Sequence, residues 1–337
     1  FMTSPASYII MLATLYEWYF GFSFGWGVAV AIASSIIYLF YGGFRASIRA
    51  DMLQFVMMFV GFAIILPFAY SEFGGITDVV NAVPTSHSKP FGDYGLGYIM
   101  IWYVAALTTL VDPNFHARVF AARTPKVARN GILVSICFWI LFDFMTNLAG
   151  LYAKMATPSL TDSRFAYTTL AEAVLPIGAK GLFYVGMLST VLSTVDSYFF
   201  TSASIFGRDI LWRLSGKGEE HVKKYIRIGL LITALAALPI VLYTTHIYNV
   251  WYSMGSVLVP VLLLPLTISY LKRDLVTSKA IVVSMVVSGV VSLSQYIYGQ
   301  YHILGKDPQY VFGMEPMYSG LIVSVLILGI SLALPKR

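Results

Sequence analysis

The sequence predicts an all-α, polytopic membrane protein of about ten transmembrane helices, and three observations carry that prediction. Of 337 residues, 58% are hydrophobic and only 11% are charged, against about 45–50% and about 25% in soluble domains. The apolar residues gather into runs long enough for the roughly 20-residue helix that crosses a hydrocarbon core about 30 Å thick. These runs are continuous, whereas a membrane barrel alternates in polarity over segments of about 10 residues. Helices also satisfy their own backbone inside lipid.

Hydropathy sets the spans at residues 4–22, 24–43, 50–70, 95–120, 130–153, 178–212, 225–244, 247–271, 279–298 and 314–334. The first carries Glu17 near its outer end beside Trp18 and Tyr19, where the carboxylate reaches the interface. The third opens on Asp51, an acidic residue favoured at a helix amino end. The fourth is interrupted by Asp112-Pro113. Proline removes one donor and clashes with the Thr109 carbonyl, so the helix is expected to break or kink there. The fifth holds Asp143 near its middle, with Asn147 one turn on, and this carboxylate is expected to face protein or water. Cys137 in the same run reads as a small core residue and, as the one cysteine, forms no intrachain disulfide. Between the spans, 71–94 is rich in Gly, Pro and Ser, 154–177 holds an amphipathic stretch from Phe165 to Leu175, and 215–224 is a charged hinge.

Seventeen of the 22 Lys and Arg residues fall on one side of this alternation, and five (Lys89, Lys154, Arg164, Lys180, Lys306) on the other. The basic side is cytoplasmic, so both ends are expected in the cytoplasm and the loop 71–94 outside. The formal charge of +6 is spread over loops rather than gathered on one solvated face, which argues against a nucleic-acid partner. No secretory signal precedes the first span, and the chain opens on Phe1; the sequence is expected to begin partway through a longer protein.

The sixth span carries the densest chemistry. Thr190, Ser193, Thr194, Ser197, Thr201 and Ser204 fall within an arc of about 100°, with Ser189 and Asp196 on one border. Such a stripe either joins helices through hydrogen bonds or presents hard oxygen ligands suited to an alkali or alkaline-earth cation, such as sodium. The five histidines have no metal-ligand spacing, and no transition metal is assigned.

Four segments together point to a family. Tyr41-Gly42-Gly43-Phe44-Arg45-Ala46 with Ala50-Asp51 and Gln54 resembles the signature of the sodium:solute symporter family. Asp112-Pro113-Asn114 through Arg118, Ala121, Ala122 and Arg123 resembles the segment after its broken sixth core helix, Leu192 to Ser197 its eighth core helix, and Gly255 to Pro265 its tenth. The resemblance implies a leucine-transporter-type inverted repeat and a single transporter domain over 1–337. It also implies that the first two core helices are lacking. By the same resemblance, sodium is the coupling ion, no other cofactor is needed, and a small-molecule solute is the partner. The main sodium site would draw on the Thr190 carbonyl and the Ser193 and Thr194 hydroxyls. Asp51, Asp196 and Ser197 match a second site that holds sodium, a proton or a carboxyl pair. Thr108, Thr109, Asp112, Trp251 and Ser253 would border the solute cavity.

The expected function is therefore sodium-coupled symport of a small organic solute at the plasma (inner) membrane, by alternating access and not by enzyme chemistry. A membrane sensory module and an inactive truncated relative are the alternatives. A protease reading, using two of Asp112, Asp143 and Asp196, needs paired carboxylates and finds no supporting motif.

Overall fold

A computed structural model describes residues 4–89, 91–93, 95–243, 247–271, 275–304 and 307–333, and each of the ten expected runs contributes helix. Lys272, Arg273, Lys306, Lys336 and Arg337, all counted in the charge asymmetry, lie outside the described residues.

Helix α1 (Pro5–Phe20) begins on a proline, whose missing N–H costs nothing in a first turn, and ends at Gly21 in the left-handed region (φ 68°). Helix α2 (Phe24–Phe73) joins two expected spans. The cytoplasmic loop expected at 44–49 is helical instead; Gly43 alone leaves the helix, at φ 55° and ψ −148°. Two short helices, α3 (Ile76–Ala82) and α4 (Thr85–Ser88), fill the next loop, and the Asp78 carboxylate caps α3 on the Gly75 N–H at 2.8 Å.

Helix α5 (Leu96–Ala106) tightens into a 3₁₀ turn at Leu107–Leu110, and α6 (Pro113–Phe120) resumes beyond the expected break. Helix α7 (Pro125–Ala156) starts on Thr124, whose hydroxyl accepts the Val127 N–H. A 3₁₀ turn at Ser163–Phe165 leads to α8 (Ala166–Val174), the expected amphipathic stretch. Helix α9 (Ile177–Ser204) passes into a π-helical segment, Ile205–Trp212, in place of a uniform α-helix. This wider winding lies where Gly207 meets the Tyr225 backbone, so closely that a Cβ would stand 2.3 Å from the Tyr225 carbonyl oxygen. Then come α10 (Arg213–Ser215), α11 (Val222–Tyr243), α12 (Ile247–Leu271), α13 (Ser278–Tyr301) and α14 (Pro316–Ala333). One two-residue antiparallel pair, Ile303–Leu304 with Asp307–Pro308, interrupts the all-α pattern.

By length and composition, six helices among the described residues can cross a membrane: α2, α7, α12, α13, α14 and Glu219–Tyr243. Helix α1 is 16 residues long, and α9 carries polar groups through its middle, so neither joins that group.

The chain divides into two compact units, Phe1–Asp93 with Ala122–Ile247, and Tyr94–Ala121 with Tyr248–Arg337. In the first, α9 is the axis. Ser35 in the first half of α2 neighbours Asp196, Phe44 stacks on Phe200 at 5.4 Å, and Gly61 abuts Gly186. The level of contact moves forward along α9 and then back, so the chain reverses at Gly43 without a loop. Phe62, Ile65, Tyr152, Leu170 and Phe183 form the buried centre, and the Tyr152 hydroxyl donates to the Gly74 carbonyl at 2.8 Å. One expectation for α7 is corrected: Cys137 is exposed rather than a core residue, because α7 packs on this unit through its other side, which carries Met145, Ala149 and Tyr152. Asp143 is exposed as well.

In the second unit, Ile101 of α5 packs with Val259 and Leu263 of α12 and Met317 of α14. Ser284, Ser288 and Ser292 of α13 are fully buried and reach across to the Ser324 hydroxyl at 2.8 Å, the Pro260 carbonyl at 3.2 Å and the Pro316 carbonyl at 3.0 Å.

A Cβ on Gly186 would stand 2.8 Å from the Gly61 Cα and from the Met57 carbonyl oxygen. Gly186→Val is therefore expected to lower stability by about 1–3 kcal/mol, read as a drop in the thermal melting of the purified protein; an unchanged melting temperature would refute the close packing.

Candidate ion and solute sites

The hydroxyl stripe of α9 faces the second half of α2. Phe183, Gly186 and Phe200, which meet that half, lie on the same side of the helix as Thr190, Ser193 and Ser197. Within the stripe, one turn converges on a single atom. The Ser193 hydroxyl donates to the Thr190 carbonyl at 3.1 Å and the Thr194 hydroxyl to the same oxygen at 3.3 Å, while the Thr190 hydroxyl donates to the Gly186 carbonyl at 2.9 Å. All three residues are half-buried. Each hydroxyl places its proton on its own helix, which leaves its oxygen lone pairs available to a cation. The donor set is three oxygens with no nitrogen or sulfur, the chemistry that fits sodium.

Interpolating between the Phe44 and Gly61 contacts puts Asp51 level with about residue 194 of α9. The structure thus brings Asp51 to the height of Ser193, Thr194 and Ser197. Asp196 points elsewhere, about 100° around the helix from Ser197, toward the first half of α2. It is fully buried, and Ser35, also fully buried, is its neighbour. Sequence reasoning missed Ser35 because a lone serine in an apolar run carries no signal of its own.

The hinge above this region is also held by a residue that the sequence reading passed over. Arg227 of α11 donates from Nε to the Phe40 carbonyl at 2.8 Å, and its guanidinium lies 4.8 Å from the Phe40 ring centre. The cation caps the carbonyl end of the first half of α2, just before Gly43.

On the first unit, α8 is fastened to α9 by Glu172, which accepts from Lys180 at 2.5 Å and from the Tyr184 hydroxyl. These two donors hold the Glu172 carboxyl below the usual glutamate range. Nearby, Trp18 stacks on Phe165 at 4.7 Å.

In the second unit, the Asp112 carboxylate accepts the Asn114 N–H at 2.7 Å and so caps α6. Thr108 and Thr109 lie in the 3₁₀ turn before it, the Thr108 side chain falling outside what the structure describes. Ser253 donates back to the Val250 carbonyl at 2.9 Å, and Trp251 is half exposed. Tyr252 donates to Glu315 at the start of α14, and Tyr318, one turn on, donates to the Gly97 carbonyl. Trp251 and Ser253 are therefore level with the beginning of α5, roughly 20 Å along the axis from Thr109 and Asp112.

These features define a class: a polytopic, helical membrane protein with a discontinuous helix in one unit and, in the other, a helix that offers oxygen ligands. The comparisons are specific. The chain matches the sodium:solute symporter family over residues 1–292, and it belongs to that family. It is 26% identical over 230 residues to the sodium/pantothenate symporter of Haemophilus influenzae, covering 66% of this chain and 48% of that protein. It is 24% identical over 348 aligned positions to the sodium/proline symporter of Staphylococcus aureus, covering 96% of this chain and 65% of that protein. The chain thus spans about half to two thirds of these relatives' length. A solved structure of a sodium-coupled sialic acid symporter in a substrate-bound, outward-open state superposes with a TM-score of 0.73 at 17% identity, covering 100% of this chain and 74% of that one. The fold is shared with that symporter, as the leucine-transporter-type expectation required.

Gly43 sits in a region of φ and ψ open essentially to glycine, so Gly43→Ala is expected to cost about 1–3 kcal/mol and to lower the melting temperature; an unaltered melt would show that the hinge relaxes. Because the Glu172 carboxyl is held low, its contribution is whole at neutral pH, weakens as pH falls into the glutamate range and is lost below its lowered value. Glu172→Gln is expected to speed hydrogen exchange over 157–176 at pH 7, an effect the unsubstituted protein reproduces only in acid.

Proposed function

We propose that this chain acts as a sodium-coupled symporter of a small organic solute in the plasma membrane, as a single transporter domain with both ends cytoplasmic. One observation carries the reading. Ser284, Ser288 and Ser292 of α13 are fully buried and each reaches a partner on another helix, as helix-joining serines do. The Thr190, Ser193 and Thr194 hydroxyls stay half-buried and bond only their own helix, so adhesion between helices does not account for them. Sodium held by the Thr190 carbonyl and the Ser193 and Thr194 hydroxyls would stabilise one conformation and raise solute affinity there, a reciprocal coupling.

Asp51, Asp196 and Ser197 are proposed as the second cation or proton site. The shared height of Asp51 and Ser197 supports that part of it, and Asp196 contributes a buried carboxylate directed at Ser35. Thr108, Thr109 and Asp112 at the helix break are proposed to meet the solute deep in the membrane, and Trp251 and Ser253 nearer the beginning of α5. The names of the relatives make pantothenate and proline the first solutes to try.

Uptake of each labelled solute into proteoliposomes under an inward sodium gradient tests the proposal. Ser193→Ala with Thr194→Ala is expected to raise the half-saturating sodium concentration about tenfold or more, two weakened oxygen ligands at roughly 0.5–1.5 kcal/mol each. Sodium activation equal to wild type in that double variant would overturn the assignment.

A further inference from the structure

The break between α5 and α6 leaves a carbonyl that the helix itself does not serve. In an uninterrupted helix the Leu110 carbonyl accepts from the Asn114 N–H. Here the Asp112 carboxylate takes that N–H at 2.7 Å, and Pro113 has no N–H to give to Thr109. The Leu110 carbonyl accepts instead from His116, whose Nε2 lies 2.8 Å away. A carbonyl only accepts, so Nε2 carries a hydrogen. The same ring stacks on Tyr270 near the end of α12, with centroids 5.1 Å apart and planes inclined by 20°. It also lies 5.6 Å from the Phe120 ring. One side chain thus replaces the donor that the break removes and ties the break to α12.

We infer that His116 is a positioning residue, which holds the α5–α6 discontinuity in its broken geometry by donating to the Leu110 carbonyl while seated against Tyr270. Two properties of imidazole are used together, a donor at the ring tip and a flat face. Phenylalanine keeps the face and loses the donor; glutamine keeps a donor and loses the face. The Asp112 cap and the His116 donor act on successive groups of the same gap, so loss of the histidine leaves the Leu110 carbonyl without the donor that replaces the helical one and loosens the geometry that Pro113 and the Asp112 cap alone then hold.

Hydrogen exchange read by mass spectrometry, on the full chain in lipid nanodiscs, tests this. His116→Phe is expected to change exchange across 107–116 by about five- to tenfold, the effect of one lost hydrogen bond, while α7 and α9 keep wild-type exchange. His116→Gln is expected to restore most of the wild-type pattern at 107–116. Unchanged exchange there in His116→Phe, an equal change across α7 and α9, or failure of glutamine to rescue would each overturn the inference. The consequence for transport rests on the symport reading: with whichever of pantothenate or proline the wild type accumulates, His116→Phe is expected to raise the half-saturating solute concentration at least fivefold with maximal rate within twofold. A fall in maximal rate alone overturns that consequence. Absence of sodium-driven uptake of either solute by the wild type counts against the symport reading, and the exchange result then decides the role of His116 by itself.

Discussion

Inside a hydrocarbon core every backbone N–H and carbonyl must find a partner within the protein, and the rest of this structure is organised around the places where a helix cannot supply one. Two such places among the described residues are Gly43 and the segment from Leu107 to Asp112. Each is repaired by side chains. Arg227 serves the Phe40 carbonyl, Asp112 serves the Asn114 N–H, and His116 serves the Leu110 carbonyl. The repair fixes the broken geometry as firmly as a continuous helix would fix a straight one. That is how a membrane helix carries an interruption without unravelling.

The same constraint sorts the hydroxyl groups. A serine buried among apolar neighbours needs a partner, and in α13 three of them find it on α12 and α14, which fastens the second unit. In α9 the hydroxyls of Thr190, Ser193 and Thr194 return their protons to carbonyls one turn back. Their oxygens then face outward with unused acceptor capacity on a surface that is only half-buried. Two stripes of similar composition thus have different chemistry, decided by what stands opposite. Asp196 adds a third condition, a carboxylate fully enclosed beside a serine that is equally enclosed. Beyond that pair the end of α9 packs closely on α11, as the contacts of Gly207 with Tyr225 and of Gly229 with Ala203 require.

What the sequence by itself determined is what depends on neighbours in the chain. Continuous apolar runs had to become helices, Asp112-Pro113 had to interrupt one, and residues spaced by three and four had to share a face of α9. The amphipathic stretch from Phe165 to Leu175 became α8 for the same reason. Tertiary structure decided which faces meet. It turned the chain back at Gly43 with no loop, directed Asp196 at Ser35, left Asp143 and Cys137 on an exposed face, and set Trp251 and Ser253 far along the axis from the break. Hydropathy and helical period describe one helix at a time. Pairing between helices depends on close approaches such as Gly61 with Gly186, between residues far apart in the chain, whose complementarity no single run contains.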